Sequence, residues 1–537
     1  MNIGAASRHS GAGAPGHPVV LDRRIRELTA IGLSALVPAL IALGVTVAFP
    51  GASVVLVLGV VVCLVGIVAL MVSARLEVTV AILGLYLGML DGPVKLSIGS
   101  HEVTAAVRNV LILAVCLGVL MRIVVRRQKV RLPPLSGWVI AFTGTVLIEV
   151  FNPKTEGILK IIGGFRQQLQ WVPFFFFGYM LMRSTKRFRL LFILVGVMGL
   201  ANGVMSAYQT ELTPTQLAAW GPGYHNLIFV PSEGVGSGRT YTSEGIARVR
   251  PPGLGSEAGF GGGVGAIALP LCLALIATSR RRKWVGVLLA LGAMLAILTG
   301  LGRLQVVGAG LAVGSFAGLA WLAGQRVTRV IGTVLAIVVI AIPVGVVVVS
   351  LLRSGTFKRY ERITASTSTA TYKESAWKKI PQYLAADPFG FGLGSVGAVG
   401  SFGGRNTQLL EGHTVSSETQ YNFIVNELGA PGLIVWVALS AYMLAFIALG
   451  MRRVRDGTLA IMLAATFAPF IAIFIEGFSG PTSASAAAGP YFWFVIGVAA
   501  YWFAGPGRAR LAGSAAVTPA EAPSAGMPRP AALAGAQ

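Results

Sequence analysis

The chain has 537 residues, 55% of them hydrophobic and 12% charged, with a mean hydropathy of +0.75. Soluble domains carry roughly 25% charged residues, so a water-soluble globule is excluded, and the long apolar blocks exclude a disordered chain. A polytopic membrane protein remains. The net charge of +23 comes from 43 Lys and Arg against 20 Asp and Glu. On a soluble chain this excess would point to nucleic acid, but here the question is on which side of the bilayer each cation lies. Cys63, Cys116 and Cys272 all fall in apolar blocks and suggest neither a disulfide framework nor a zinc site.

In chain order, residues 1–27 form a Gly-, Ala- and Ser-rich tail that is expected to be disordered. Spanning the hydrocarbon takes about 20 apolar residues. That length predicts helices at 28–49, 53–73, 76–90, 105–125, 135–151, 168–182, 190–208, 260–278, 284–301, 304–323, 328–352, 430–450, 458–476 and 486–504. The expected fold is therefore all-α, with about 14 transmembrane helices in a domain over 28–504 (12–14, since two are short). Residues 505–537, rich in Ala, Pro and Gly, form a second disordered tail. With the N-terminus in the cytoplasm, every second connection is basic, as in Arg122–Arg131, Arg183–Arg189, Arg280–Lys283 and Arg452–Arg455. This pattern places both termini inside, so the charge excess is topogenic and no nucleic-acid partner is needed. Arg23-Arg24 precedes an apolar run too long for an export signal, and no cleavage site follows.

Two external connections, 209–259 and 353–429, are far longer than hairpins and are expected to carry function. The second contains a predicted helix at Tyr372–Ala386, expected to lie at the outer leaflet. Glu149, Glu427 and Glu476 fall near the outer ends of their helices, and Arg303 falls in an outer turn. Ionisable groups at membrane depth default to functional hypotheses, and their shared depth suggests one polar chamber open to the outside. A carrier would place such groups near the midplane, often at broken helices.

Three stretches stand out: Thr299-Gly-Leu-Gly-Arg303; Tyr372-Lys-Glu-Ser-Ala-Trp377 followed by Asp387-Pro-Phe-Gly-Phe-Gly-Leu-Gly394; and Glu418-Thr-Gln-Tyr421 followed by Asn426-Glu427-Leu-Gly429-Ala-Pro-Gly432. In this order they resemble the O-antigen ligase and O-antigen polymerase superfamily of bacterial envelope glycosyltransferases, over roughly residues 150–450. The resemblance implies a plasma-membrane enzyme that transfers an undecaprenyl-pyrophosphate-linked glycan to a hydroxyl on a glycan or lipid acceptor. It also implies an outer-face reaction with no metal, nucleotide sugar or other cofactor.

The resemblance makes Arg303 a candidate pyrophosphate ligand, since a guanidinium fork can hold the charge growing on the leaving group. Snorkelling to lipid headgroups is the alternative. Arg250, in Ala-Arg-Val-Arg-Pro-Pro-Gly with Arg248, and Arg166, in Gly-Gly-Phe-Arg-Gln-Gln-Leu-Gln, are further pyrophosphate candidates. A general base must accept the acceptor's hydroxyl proton. His413 suits that task, but Glu418 occupies the register where the family often has its histidine, so both stand as catalytic candidates. Tyr421, Glu427, Trp377 and Lys373 are candidates for shaping the site or contacting glycan, with Glu427 expected to orient an arginine. Gly390, Gly392 and Gly394 are read as a turn that needs tight backbone. The rival reading is a transporter or flippase for a lipid-linked glycan, although the chain shows no internal repeat.

Overall fold

The computed structural model describes residues 76–98, 101–125, 132–155, 157–229, 240–243, 246–279, 283–325, 369–397, 409–410, 413–414 and 419–511. The expected spans at 28–49, 53–73 and 328–352, and both tails beyond these limits, lie outside the described residues. The chain divides into two compact units. The smaller comprises Met1–Thr79 and Val110–Lys129, and the larger comprises Val80–Asn109 and Val130–Gln537. Every candidate site residue belongs to the larger unit.

The architecture is helical, with two short ribbons in the long connections. These pair Thr240–Ser243 with Ile246–Val249 and Leu409–Leu410 with His413–Thr414, both antiparallel. Six helices among the described residues are long and apolar enough to cross a membrane, and Val107–Leu120, Ser136–Phe151, Lys283–Thr299 and Ala488–Ala504 are shorter apolar ones. The expected short span at 76–90 instead runs on through a π-turn at Tyr86–Leu90 into Asp91–Ile98. The expected span at 168–182 instead takes in the last two residues of α1 (Gly157–Leu169), a turn, and the separate helix α2 (Pro173–Leu181). Pro173 occupies the first turn of α2, where its missing N–H costs nothing, and so resets the helix after a turn at Gln170–Val172.

Further along come α3 (Thr185–Glu211), α4 (Phe260–Thr278), α5 (Lys283–Thr299), α6 (Arg303–Leu322), α7 (Thr369–Ala386), α8 (Gln420–Met451), α9 (Gly457–Glu476) and α10 (Ala488–Ala499). In α4 and α9, 83% and 72% of the apolar window is buried, against 33–39% in the other four long helices, so α4 and α9 are central. Exposed Leu190, Val204, Trp321 and Ile434 on the outer helices suit a lipid surface. Small residues bring the backbones together. Gly196, Gly199 and Gly203 of α3 face Leu289, Ala293 and Gly292 of α5, and Gly265 of α4 faces the Ala293 carbonyl. Such small-residue faces drive packing where no hydrophobic effect operates between helices.

Candidate functional site

Two of the three segments singled out in the sequence, the second and the third, fold onto one another. α8 is broken at Gly429, whose φ of 58° and ψ of −154° no other residue adopts cheaply. Gly390, at φ 82°, lies against this break, and a Cβ on Gly390 would come within 2.6 Å of the Gly429 nitrogen. The turn and the break share their hydrogen bonds. Phe391 N–H donates to the Asn426 carbonyl at 2.7 Å, and Ala430 N–H donates to the Pro388 carbonyl at 2.7 Å.

Glu427 is fully buried beneath this junction. Its two carboxylate oxygens accept the side-chain amides of Gln167 at 3.0 Å and Gln168 at 2.6 Å, both on α1. Gln167 also donates to the Val396 carbonyl at 3.0 Å, and the buried Lys160 ammonium donates to the Gly394 carbonyl at 3.4 Å. Glu427 thus receives two amides, where an arginine partner was expected. The glutamine pair is two helical positions that the sequence reading passed over.

Glu149 is buried at the other flank of the turn and accepts Asn152 Nδ2 at 2.9 Å. The same Asn152 amide donates to the Gly390 carbonyl at 3.1 Å, while Thr155 Oγ1 accepts the Leu393 N–H at 3.2 Å. Lys154 pairs with Asp387. Above the turn, Trp377 on α7 packs against both Tyr421 and Phe478, with ring centroids 4.9 and 5.2 Å away, those two rings also touch at 4.8 Å, and the indole N–H donates to the Phe478 carbonyl at 3.2 Å. Trp377 and Tyr421 are therefore neighbours.

Arg166, one residue before the glutamine pair, joins a different group. Its charged neighbours are Arg108 and Asp91. Burial, helped by the Arg108 guanidinium, pulls Arg166 below the usual guanidinium range. Arg303 opens α6 after a turn in which Leu301 is held at φ 53°. It makes no hydrogen bond or ion pair among the described residues, and its Nε is buried. Arg250 follows the second ribbon strand, just before the Pro251–Gly255 turn.

That turn is latched by polar residues buried in α3. Gln209 both donates to the Gly253 carbonyl at 3.0 Å and accepts its N–H at 2.8 Å, and Asn202 Oδ1 accepts the Leu254 N–H at 2.9 Å. His413 pairs with Leu410 in the second ribbon, but its side chain lies outside the described residues. The same holds for the Lys373 side chain on α7 and for Glu418 entirely.

A cavity of about 240 Å³ opens between α4, α6, α9 and the 480–488 connection. Glu257, Gln305, Glu476, Thr482 and Ser485 supply its polar groups, and the rest of the wall is mostly apolar. The Glu476 carboxylate lies directly over Gly308, where any side chain would displace it. Arg303 does not line this cavity, although its neighbours Leu304 and Gln305 do. No group of three or more His, Cys, Asp and Glu side chains with metal-ligand geometry occurs among the described residues. Comparison with known proteins assigns no family: no family model matches the chain, and no curated protein matches it in sequence.

Proposed function

We propose that this chain is an envelope glycosyltransferase that transfers a glycan from an undecaprenyl-pyrophosphate carrier to an acceptor hydroxyl at the outer face of a bacterial plasma membrane. In this reading the chain has about fourteen spans, and both termini are cytoplasmic. The acceptor oxygen attacks the anomeric carbon and the bond from that carbon to the diphosphate oxygen breaks. His413 or Glu418 takes the hydroxyl proton, and undecaprenyl diphosphate leaves. Arg303, Arg250 and Arg166 stabilise the leaving diphosphate, while Trp377, Tyr421, Glu427 and Lys373 shape the glycan path.

The observation that supports this reading is the docking of the Asp387–Gly394 turn onto the Asn426–Gly429 break, with Gln167 and Gln168 of α1 beneath. Two of the three motifs that resembled one family only by their order, the second and the third, meet in space, while Thr299–Arg303 takes no part in this junction. The test is Arg303→Ala in a strain that depends on this chain. Glycan transfer should be lost while the protein still reaches the membrane, and normal product would remove the central assignment.

The broken helix and the acid-lined cavity favour a second reading, a carrier for a lipid-linked glycan. Glycan transfer by purified protein in detergent, where no compartment exists, separates the two: product supports the transferase, and its absence supports the carrier.

A further inference from the structure

We propose that Lys95, Arg108 and Arg166, with the indole N–H of Trp171, form an anion site for the phosphate or diphosphate group of a lipid. Arg108 is the centre of the group. It is 9% exposed, and it donates from Nη1 to Asp91 at 3.4 Å and from Nη2 to Gln170 Oε1 at 3.3 Å. Its Nε is buried with no acceptor among the described residues. Its guanidinium carbon stands 5.3 Å from the centre of the Trp171 ring. Trp171 is 1% exposed, and its Nε1 is likewise buried with no acceptor among the described residues.

Lys95 and Arg166 complete the group. Neither side chain makes a hydrogen bond or ion pair among the described residues, yet Arg108 acts on both, and Arg166 acts on Lys95. The charges around Lys95 are Glu257, Arg108, Asp91 and Arg166. Three cations therefore stand with two carboxylates, an excess of one positive charge in a partly buried setting. Every unused group is a donor. Buried donors are rarely left without an acceptor, and like charges at low dielectric repel strongly. An oxyanion with several acceptor oxygens answers both demands, and the guanidinium fork fits its geometry.

The position favours a lipid over a soluble anion. Asp91 and Lys95 lie at the end of the apolar span Leu76–Ser97, and Arg108 lies near the start of the next helix, His101–Val125. The connection between the two is short, so the group sits at one end of the apolar spans, the depth of a headgroup. Gln170 and Trp171 reach it because Pro173 resets the chain there, leaving the 170–172 turn beside Arg108. Gly489 packs its backbone against the indole edge, since a Cβ there would stand 2.7 Å from Trp171 Nε1. The site stands whether the chain transfers or carries glycan, although Arg166 belongs to both readings.

The test uses the full-length protein in phosphatidylcholine nanodiscs, titrated with radiolabelled farnesyl diphosphate. Saturable binding is expected. Lys95→Gln and Arg166→Gln should each weaken it about tenfold, the scale of losing a hydrogen bond to a charged group. These two side chains have no hydrogen-bonded partner to strand, so a preserved elution profile and melting temperature are expected alongside. Trp171→Phe keeps the ring under Arg108 and should weaken binding about threefold. Replacing half the lipid with phosphatidylglycerol separates the sources. Displacement of label from the wild-type protein assigns the site to phosphodiester headgroups, and retention assigns it to polyprenyl diphosphates. Wild-type binding by both Lys95→Gln and Arg166→Gln, or no saturable binding in either lipid, overturns the site. Glycan transfer by the Lys95→Gln protein tells the two failures apart: wild-type diphosphate binding by both variants removes this site and Arg166's share in the transfer reading, whereas that reading itself falls only with normal product from Arg303→Ala.

Discussion

Gln168 donates its side-chain amide to the buried Glu427 carboxylate at 2.6 Å, across 259 residues of sequence. This bond and its Gln167 companion hold a fully buried carboxyl, on which the Lys160 ammonium and the backbone at Gly394 and Val396 also act. Gln168→Leu should therefore cost about 1–3 kcal/mol, because it removes the 2.6 Å amide donor from a fully buried carboxyl. Thermal unfolding of the purified variant measures the loss. Gln168→Glu, which brings a second carboxylate to the same place, should be worse than Gln168→Leu.

Gly429→Ala places a Cβ against the Pro388 carbonyl and the Gly390 nitrogen in a conformation open only to glycine. The expected cost is about 3 kcal/mol or more. Hydrogen exchange gives the local readout: the Phe391 and Ala430 amides, protected by the turn, should exchange faster, while the amides of central α4 stay unchanged.

Much of the fold was legible because length and hydropathy alone define a span, and the ends of α4, α5, α6 and α9 fall within two residues of expectation. The Gly390–Gly394 turn was also legible, since alternate glycines announce backbone that no side chain permits. The partners of Glu427 were not. Gln167 and Gln168 are ordinary residues in a polar helical patch, and a contact spanning 259 residues leaves no local periodicity. Asp91 and Arg108 were available as ionisable residues within apolar blocks, the signal already applied to Glu149 and Glu476. Asn202, Ser206 and Gln209, spaced four and three apart on α3, mark one helical face and could have revealed the buried latch.

The Gln209 latch gives a prediction for the loop that carries Arg250. Gln209→Ala removes both bonds to Gly253 and leaves its buried N–H and carbonyl without partners. The expected loss is about 2–4 kcal/mol. Limited proteolysis checks the local effect, with cleavage around Arg250 expected to accelerate before any other site is cut.

The ring group offers a test that separates packing from glycan contact. Trp377→Phe keeps the stack against Tyr421 and Phe478 and loses one partly exposed hydrogen bond, so stability should fall by less than about 1 kcal/mol. Trp377→Ala removes both ring pairs and should cost about 1–3 kcal/mol. Under the transferase reading, product yield should survive Trp377→Phe and fall sharply in Trp377→Ala.

The Lys154–Asp387 pair is half exposed on its lysine side. Lys154→Ala should change stability by less than about 1 kcal/mol, and high salt should erase even that. Melting temperatures at low and high ionic strength check it.

The interruption at Gly429 has a consequence for biogenesis. A helix that stops and restarts exposes amides and carbonyls that hydrocarbon cannot solvate, and the Pro388–Phe391 segment answers them. Ribosomes deliver that segment some forty residues ahead of the interruption, so the groups that satisfy the gap are already outside the tunnel when it arrives. Synthesis order thus lets the fractured span settle into a waiting cradle instead of entering the bilayer with its backbone bare.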